Sequence, residues 1–196
     1  MANMSHISTN SPHAWILAAR PKTLTGAAVP VMIGISAAWA DGFFRPVPAL
    51  LCFLFAFLMQ IDANFINDYY DFRKGLDDEK RLGPKRACAE GWITLPAMRR
   101  GIICTTLLSC LTGLPLVWYG GWTMVLVGVC CVVFCFLYTT CMARLGLGDL
   151  LVLVFFGLVP VGATYYLQSG TVVPEVWALS LVCGLVIDCL LVVNNY

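Results

Sequence analysis

The chain is poor in charge. Only 12% of its 196 residues are Asp, Glu, Lys or Arg, where a soluble globular domain carries about a quarter. It has no CxxC pair among its ten cysteines, so the spacing that marks a structural metal site is missing. It has no P-loop, no dinucleotide-binding glycine fingerprint and no nucleophile triad. Its apolar segments have no strict alternation, which argues against a spanning β-barrel. Met1 to Pro12 has neither a basic n-region nor an apolar h-region, so no cleaved signal peptide is expected there. No internal sequence repeat is evident.

Apolar sequence takes the place of charge. The chain is 60% hydrophobic, with a mean hydropathy of +0.82. Six runs are long enough to cross a bilayer, which takes roughly 17–25 helical residues. They lie near Thr23–Ala40, Ala49–Ile66, Gly101–Tyr119, Trp122–Ala143, Leu150–Leu167 and Val176–Val193. The fold class expected is therefore all-α: a polytopic transmembrane helical bundle with six helices in this chain, forming one domain over residues 1–196. Nine of the cysteines fall in the apolar runs as small packing residues, and Cys88 alone lies in a polar loop. Gly34, Gly113, Pro115, Gly128, Gly157, Pro160 and Gly184 interrupt the runs and are expected to allow close helix packing or kinks.

The charge distribution sets an orientation. If the first run starts inside, Arg20, Lys22, the basic residues from Arg73 to Arg86, Arg99, Arg100 and Arg144 are all inside. Arg45 alone is outside, as the positive-inside rule requires. Trp39, Trp118, Tyr119, Trp122 and Trp177 then fall at the outer interface, where amphipathic rings settle. The N-terminus is expected in the cytoplasm. The one long polar segment, residues 72–96, becomes a cytoplasmic loop.

That loop follows an unusual helix end. On a helix turning about 100° per residue, with Asn64 as zero, Asn67 lies at about −60°, Asp68 at about +40° and Asp71 at about −20°. All four fall in a wedge of about 100°, and a continuing helix keeps Lys74 and Asp78 near the same side. Polar groups at that depth cost several kcal/mol unless they face a cavity or a partner. One reading is a solvated helix end. The sharper one is a site for a hard cation: carboxylate and amide oxygens suit Mg²⁺, which takes one or two carboxylates and completes its shell with water and substrate phosphate. Arg73, Lys74, Lys80, Arg81, Lys85 and Arg86 can then hold the remaining diphosphate oxygens. The alternative for the basic cluster is an orientation signal that also touches anionic lipid.

The stretches "RPKTLTGAAVPVMIG" (Arg20–Gly34), "NDYYDFRKGLDDEKRLGPKRACAEGWIT" (Asn67–Thr94), "GLGDLLVLVFFGLVPVGATYYLQSG" (Gly146–Gly170) and "LLVVNNY" (Leu190–Tyr196) resemble the UbiA superfamily of membrane prenyltransferases. Within it the sequence is most similar to the 1,4-dihydroxy-2-naphthoate polyprenyltransferases of menaquinone synthesis. The resemblance implies a nine-helix bundle around a cavity open sideways to lipid, with two Asp-rich motifs holding Mg²⁺ on an isoprenyl diphosphate in the inner (cytoplasmic) membrane. By position, Asn64, Asn67, Asp68, Asp71 and Asp78 would be metal-side residues. Lys74, Arg81, Lys85 and Arg86, with Arg20 and Lys22 at the start of helix one, would be diphosphate-side, the loop over residues 72–96 capping the cavity. Asn194 and Asn195 would begin the second motif, so the chain is expected to be partial, six helices of nine.

The implied partners are a polyprenyl diphosphate, 1,4-dihydroxy-2-naphthoate and the lipid bilayer; no nucleic acid is expected. The implied reaction ionises the allylic diphosphate, lets the naphthoate ring attack, and releases CO₂ to give demethylmenaquinone. Asp149 and Tyr138 are candidates for the base that takes the phenolic proton, with a helix start and an interface tyrosine as the plainer readings. Other readings remain: a related enzyme acting on a benzoate or homogentisate ring, or an inactive truncated membrane protein. Asp62 and Asp188 depart from the pattern. A carboxylate costs about 2.5–3.5 kcal/mol at a helix centre on insertion scales, so each is expected near a cavity, in neutral form, or destabilising.

Overall fold

A computed structural model describes residues 7–75, 85–140 and 148–195, with side chains described for all of these except 139–140 and 191–195. The elements run α1 (Pro12–Ala19), one 3₁₀ turn (Pro21–Thr23), α2 (Leu24–Ala40), α3 (Pro46–Arg73), α4 (Leu95–Gly113), α5 (Leu116–Gly120), α6 (Thr123–Thr140), α7 (Gly148–Leu153), a π turn (Val154–Leu158), α8 (Val159–Ser169) and α9 (Pro174–Asn195). Four rods are long and apolar enough to cross a membrane: Pro12–Ala40, Pro46–Arg73, Leu95–Gly120 and Gly148–Ser169. A shorter apolar helix covers Thr123–Tyr138, and α9 adds 22 residues. The bundle is all-α among the described residues, with one rod for each apolar run. Backbone polar groups have no water to bond in hydrocarbon, so apolar runs of this length satisfy themselves as helices.

Four of the six rods extend past their apolar runs at both ends, and Pro12–Ala40 does so at its start. α3 begins at Pro46, where a proline at the first helical position costs no hydrogen bond, and continues to Arg73. The whole polar wedge is therefore helical. α4 starts at Leu95, which brings Arg99 and Arg100 into its first turns. Pro115 separates α4 from α5. In the rod α7–α8, Pro160 has no N–H to return to the carbonyl of Phe156, and the π turn ends just before it. The Cys183 thiol of α9 lies 3.7 Å from that carbonyl as a donor.

α3 is the hub, packed against α1, α2, α4 and α6. Small residues set the closest approaches. A Cβ on Gly34 would stand 2.7 Å from the Val161 carbonyl oxygen of α8, and one on Gly157 would stand 2.5 Å from the Ser180 carbonyl oxygen of α9. Gly128 meets nothing within 4 Å and instead borders a cavity. At the end opposite the Asp-rich wedge, the Tyr165 hydroxyl donates to Asp41 at 2.6 Å and Arg45 N–H donates to the buried Gln168 side chain. These bonds tie the α2–α3 loop to α8. Trp39, Trp118 and Trp122 are exposed there, as an interfacial belt requires.

Asp62 lies inside the bundle and does not line the cavity. It is fully buried, and both carboxylate oxygens accept hydroxyl protons from α4, Oδ1 from Thr105 and Oδ2 from Thr106 at 2.7 Å. The residue therefore joins α3 to α4. Threonine hydroxyls, not a cation, are the partners, because α4 presents two adjacent ones at that depth. Asp188 is half-buried on α9. The Thr105→Val/Thr106→Val double variant leaves Asp62 without these donors and is expected to destabilise the bundle by about 1–3 kcal/mol. Thermal unfolding in detergent checks this; an unchanged midpoint removes the pairing from the stability of the α3–α4 contact.

Candidate functional site

The last three turns of α3 carry the polar wedge, which falls into two i, i+4 pairs. Asn67 and Asp71 line a large cavity. Asn64 lines it too, and its Nδ2 donates to the Ala19 carbonyl at 2.9 Å and to Thr23 Oγ1 at 3.0 Å. Asp68 does not line the cavity. It is 1% exposed, and its two oxygens accept the main-chain N–H groups of Ala87 and Cys88, each at 2.9 Å. The expectation that all four side chains face one ligand space thus needs correction at Asp68. Its carboxylate points to the side of α3 where the following loop folds back.

That loop, residues 85–94, is packed rather than draped. Ala87, Cys88 and Ile93 are buried with Ala14, Ala18, Phe65, Ile66, Ala97 and Met98. Asn10 joins it from the N-terminal side: its N–H donates to the Trp92 carbonyl at 2.7 Å, and its Oδ1 accepts from Thr94 N–H at 3.1 Å. Arg86 is thereby pulled inward. It is 6% exposed, lines the cavity and donates from Nη2 to Asp71 Oδ2 at 2.8 Å. Charge-assisted bonds of this length are about twice as strong as neutral ones.

A second basic wall comes from the junction of α1 and α2. Arg20 holds a left-handed backbone, φ 50°, which ends α1 and starts the 3₁₀ turn. Arg20 and Lys22 both line the cavity. Thr23 Oγ1 is the hub of this wall: it donates to the Arg20 carbonyl at 2.9 Å and accepts from Asn64 and, at 3.4 Å, from Gln60. Sequence reasoning missed Gln60 and Thr23. Gln60 was legible, since four residues before Asn64 puts it at about −40° on the same wheel.

The cavity measures about 1280 Å³. Its polar mouth leads to a deep apolar interior walled by Val31, Phe55, Met59, Val127, Phe155 and Phe156, among others. Tyr138 lines it from α6. Asp149 is exposed in the first turn of α7, where a carboxylate suits the helix N-terminus, and it does not line the cavity. Lys74 caps α3 away from the lining. Lys85 is exposed and pairs with Glu90 at 3.0 Å. Asp78, Lys80 and Arg81 lie outside the described residues, as do the side chains of Asn194 and Asn195.

Asp71 is the one carboxylate lining the cavity among the described residues, and the described residues contain no cluster of three or more His, Cys, Asp or Glu side chains. With the Asn67 amide this makes a sparse set of hard oxygen donors beside three cations. Such a set fits an ion that draws most of its shell from water and phosphate, as Mg²⁺ does.

A model of the UbiA prenyltransferase family matches residues 27–196. The chain is 37% identical over 201 aligned positions to a 1,4-dihydroxy-2-naphthoate octaprenyltransferase of Escherichia coli K12, covering 98% of this chain and 65% of that protein. It is 34% identical to the protein of the same name from Haemophilus influenzae, covering 92% and 62%. The chain thus spans less than two-thirds of the length of these relatives. A solved structure described as a digeranylgeranylglyceryl phosphate synthase in membranes shares the fold, with a TM-score of 0.63 at 20% identity over 90% of this chain and 59% of that one.

Proposed function

The chain belongs to the UbiA prenyltransferase family, and from that membership we propose that the whole protein transfers a polyprenyl group from an isoprenyl diphosphate to 1,4-dihydroxy-2-naphthoate, with loss of CO₂, giving demethylmenaquinone. The observation that carries this reading is the cavity: a deep apolar interior behind a mouth bearing Asn67, Asp71, Arg86, Arg20 and Lys22. The space suits an isoprenoid tail, and the mouth suits its diphosphate. The names of the bacterial relatives point to the same acceptor.

At this mouth Mg²⁺ would be held by Asn67 and Asp71, with Asp78 and the motif begun by Asn194 and Asn195 as further donors. When bound it supplies positive charge to the departing diphosphate. Arg86 reaches the diphosphate from the loop wall, and Arg20 and Lys22 from the α1–α2 wall; Lys74, Arg81 and Lys85 add to the positive field of the same segment. The apolar interior keeps water from the allylic cation once the C–O bond opens. Tyr138, on the cavity wall, is the better placed of the two candidates to take the acceptor's phenolic proton, and Asp149 is the other. In the multi-pass arrangement, every described basic residue except Arg45 lies at the mouth end. We assign that end to the cytoplasmic face of the inner membrane.

The test uses membranes carrying the protein, Mg²⁺, labelled prenyl diphosphate, and in turn dihydroxynaphthoate, a hydroxybenzoate and homogentisate. Prenylated product with CO₂ release is expected from the naphthoate. Product from only one of the other two rings overturns the acceptor assignment. No product from any of them overturns the enzymatic reading in favour of a membrane protein that binds lipid diphosphate without turnover.

A further inference from the structure

We infer that Asn64 and Asp68 are positioning residues that hold the two basic walls of the cavity mouth, leaving Asn67 and Asp71 to face the ligand. The inference rests on the proposed function for the chemical identity of that ligand, but its geometry stands apart from it. On the α3 wheel, Asn64 and Asp68 occupy one side of the wedge, at zero and about +40°, and Asn67 and Asp71 the other, at about −60° and −20°. Each pair is one turn apart, so each acts toward one direction.

The Asp68 carboxylate already has two donors, one on each oxygen, and both are main-chain N–H groups of consecutive residues. Ala87, which supplies one of them, is itself 1% exposed. A cation approaching Asp68 would have to displace this turn. The residue directly before Ala87 is Arg86, whose guanidinium meets Asp71 at 2.8 Å. Backbone at Ala87 and side chain at Arg86 are one short lever, so the bond that holds the first aims the second. Asn64 plays the matching part on the opposite wall. Its amide N–H groups bridge Ala19 and Thr23, the two ends of the turn that presents Arg20 and Lys22. Arg20 sits in the left-handed region, which non-glycine residues rarely enter unless their surroundings hold them there.

Two kinds of measurement on the purified protein separate positioning from metal ligation. Hydrogen–deuterium exchange reads the loop directly. Asp68→Asn can accept only one of the two N–H groups and turns its own NH₂ against the other, so exchange in residues 86–88 is expected to rise by about tenfold. Steady-state kinetics read the consequence: KM for prenyl diphosphate rises by about tenfold while the half-saturating Mg²⁺ concentration stays within about twofold. In an Arg86→Gln background Asp68→Asn adds less than about twofold to KM, because the path through Arg86 is already lost. Asn64→Asp sets a carboxylate against the Ala19 carbonyl, so KM rises and Mg²⁺ binding does not improve. Asp68→Glu keeps the charge but lengthens the lever, and serves if Asp68→Asn fails to fold; it too is expected to loosen residues 86–88.

A rise in the half-saturating Mg²⁺ concentration with unchanged loop exchange would make Asp68 a metal ligand and overturn the inference. So would full additivity with Arg86→Gln, or tighter Mg²⁺ binding in Asn64→Asp. If the wild-type protein transfers no prenyl group to any acceptor, the proposed function fails. The exchange comparison still decides whether Asp68 holds the loop, so the two failures remain distinct.

Discussion

Asp71→Ala is expected to abolish prenyl transfer by the whole protein, lowering turnover by about a thousandfold or more, with membrane insertion unchanged. Two effects combine. Asp71 is the cavity-lining carboxylate among the described residues, so its loss removes the anionic donor from a mouth otherwise furnished with amides and cations. It also removes the carboxylate that Arg86 meets at 2.8 Å in a 6%-exposed setting, which lets the guanidinium leave its aim. Removal of a single preorganised electrostatic group costs about 10²–10³ in rate, and here a ligand and an orienting partner are lost together. Turnover of purified Asp71→Ala and Asp71→Asn in lipid, with Mg²⁺ titrated, checks this. Asp71→Asn preserves shape and is expected to lose rate while Arg86 keeps part of its contact. Wild-type turnover in either variant would take Asp71 out of the site.

The second large effect lies away from the mouth. A methyl group at Gly157 would stand 2.5 Å from the Ser180 carbonyl oxygen and 2.7 Å from Gly184 Cα. Both neighbours are backbone, so no side chain can turn aside and α9 must move. Gly157→Ala is expected to cost about 3 kcal/mol, at the top of the usual overpacking range, and Gly157→Leu to prevent α9 from docking on the π turn. Thermal unfolding in detergent measures the first. Labelling of Cys183, buried in this contact and bonded to the Phe156 carbonyl, reports the second. Gly128→Ala is the control: nothing stands within 4 Å of its added Cβ, so its midpoint is expected within about half a kcal/mol of wild type. Equal stability of Gly157→Ala and Gly128→Ala would mean that the α9 contact is looser than described.

The six rods, the all-α class and the polar end of α3 were legible from residue order alone. In hydrocarbon the backbone has few alternatives to a helix, so long apolar runs announce their own structure. The wheel angles of Asn64, Asn67, Asp68 and Asp71 followed from the helical repeat, and Gln60 was available to the same reasoning. The bacterial relatives agree with the resemblance carried by the stretches Arg20–Gly34, Asn67–Thr94, Gly146–Gly170 and Leu190–Tyr196. Rod ends were less legible. α3 runs to Arg73 and α4 begins at Leu95, because helices continue through polar residues that hydropathy discounts.

Partnership across the bundle was not legible at all. Nothing in the order of residues tells Asp62 that Thr105 and Thr106 will stand opposite it; that depends on the register of α3 against α4. Nor could the wheel divide the wedge. Asp68 and Asp71 are the same chemical group one turn apart, and only the fold of residues 85–88 gives one carboxylate two main-chain donors and the other an arginine. Main-chain N–H groups are common to every residue except proline, so a side chain that binds them leaves no mark in the sequence. Local order set which residues could be polar at the mouth. The return of a packed loop, held by contacts between segments distant in sequence, decided that Asp68 holds that loop and Asp71 faces the cavity.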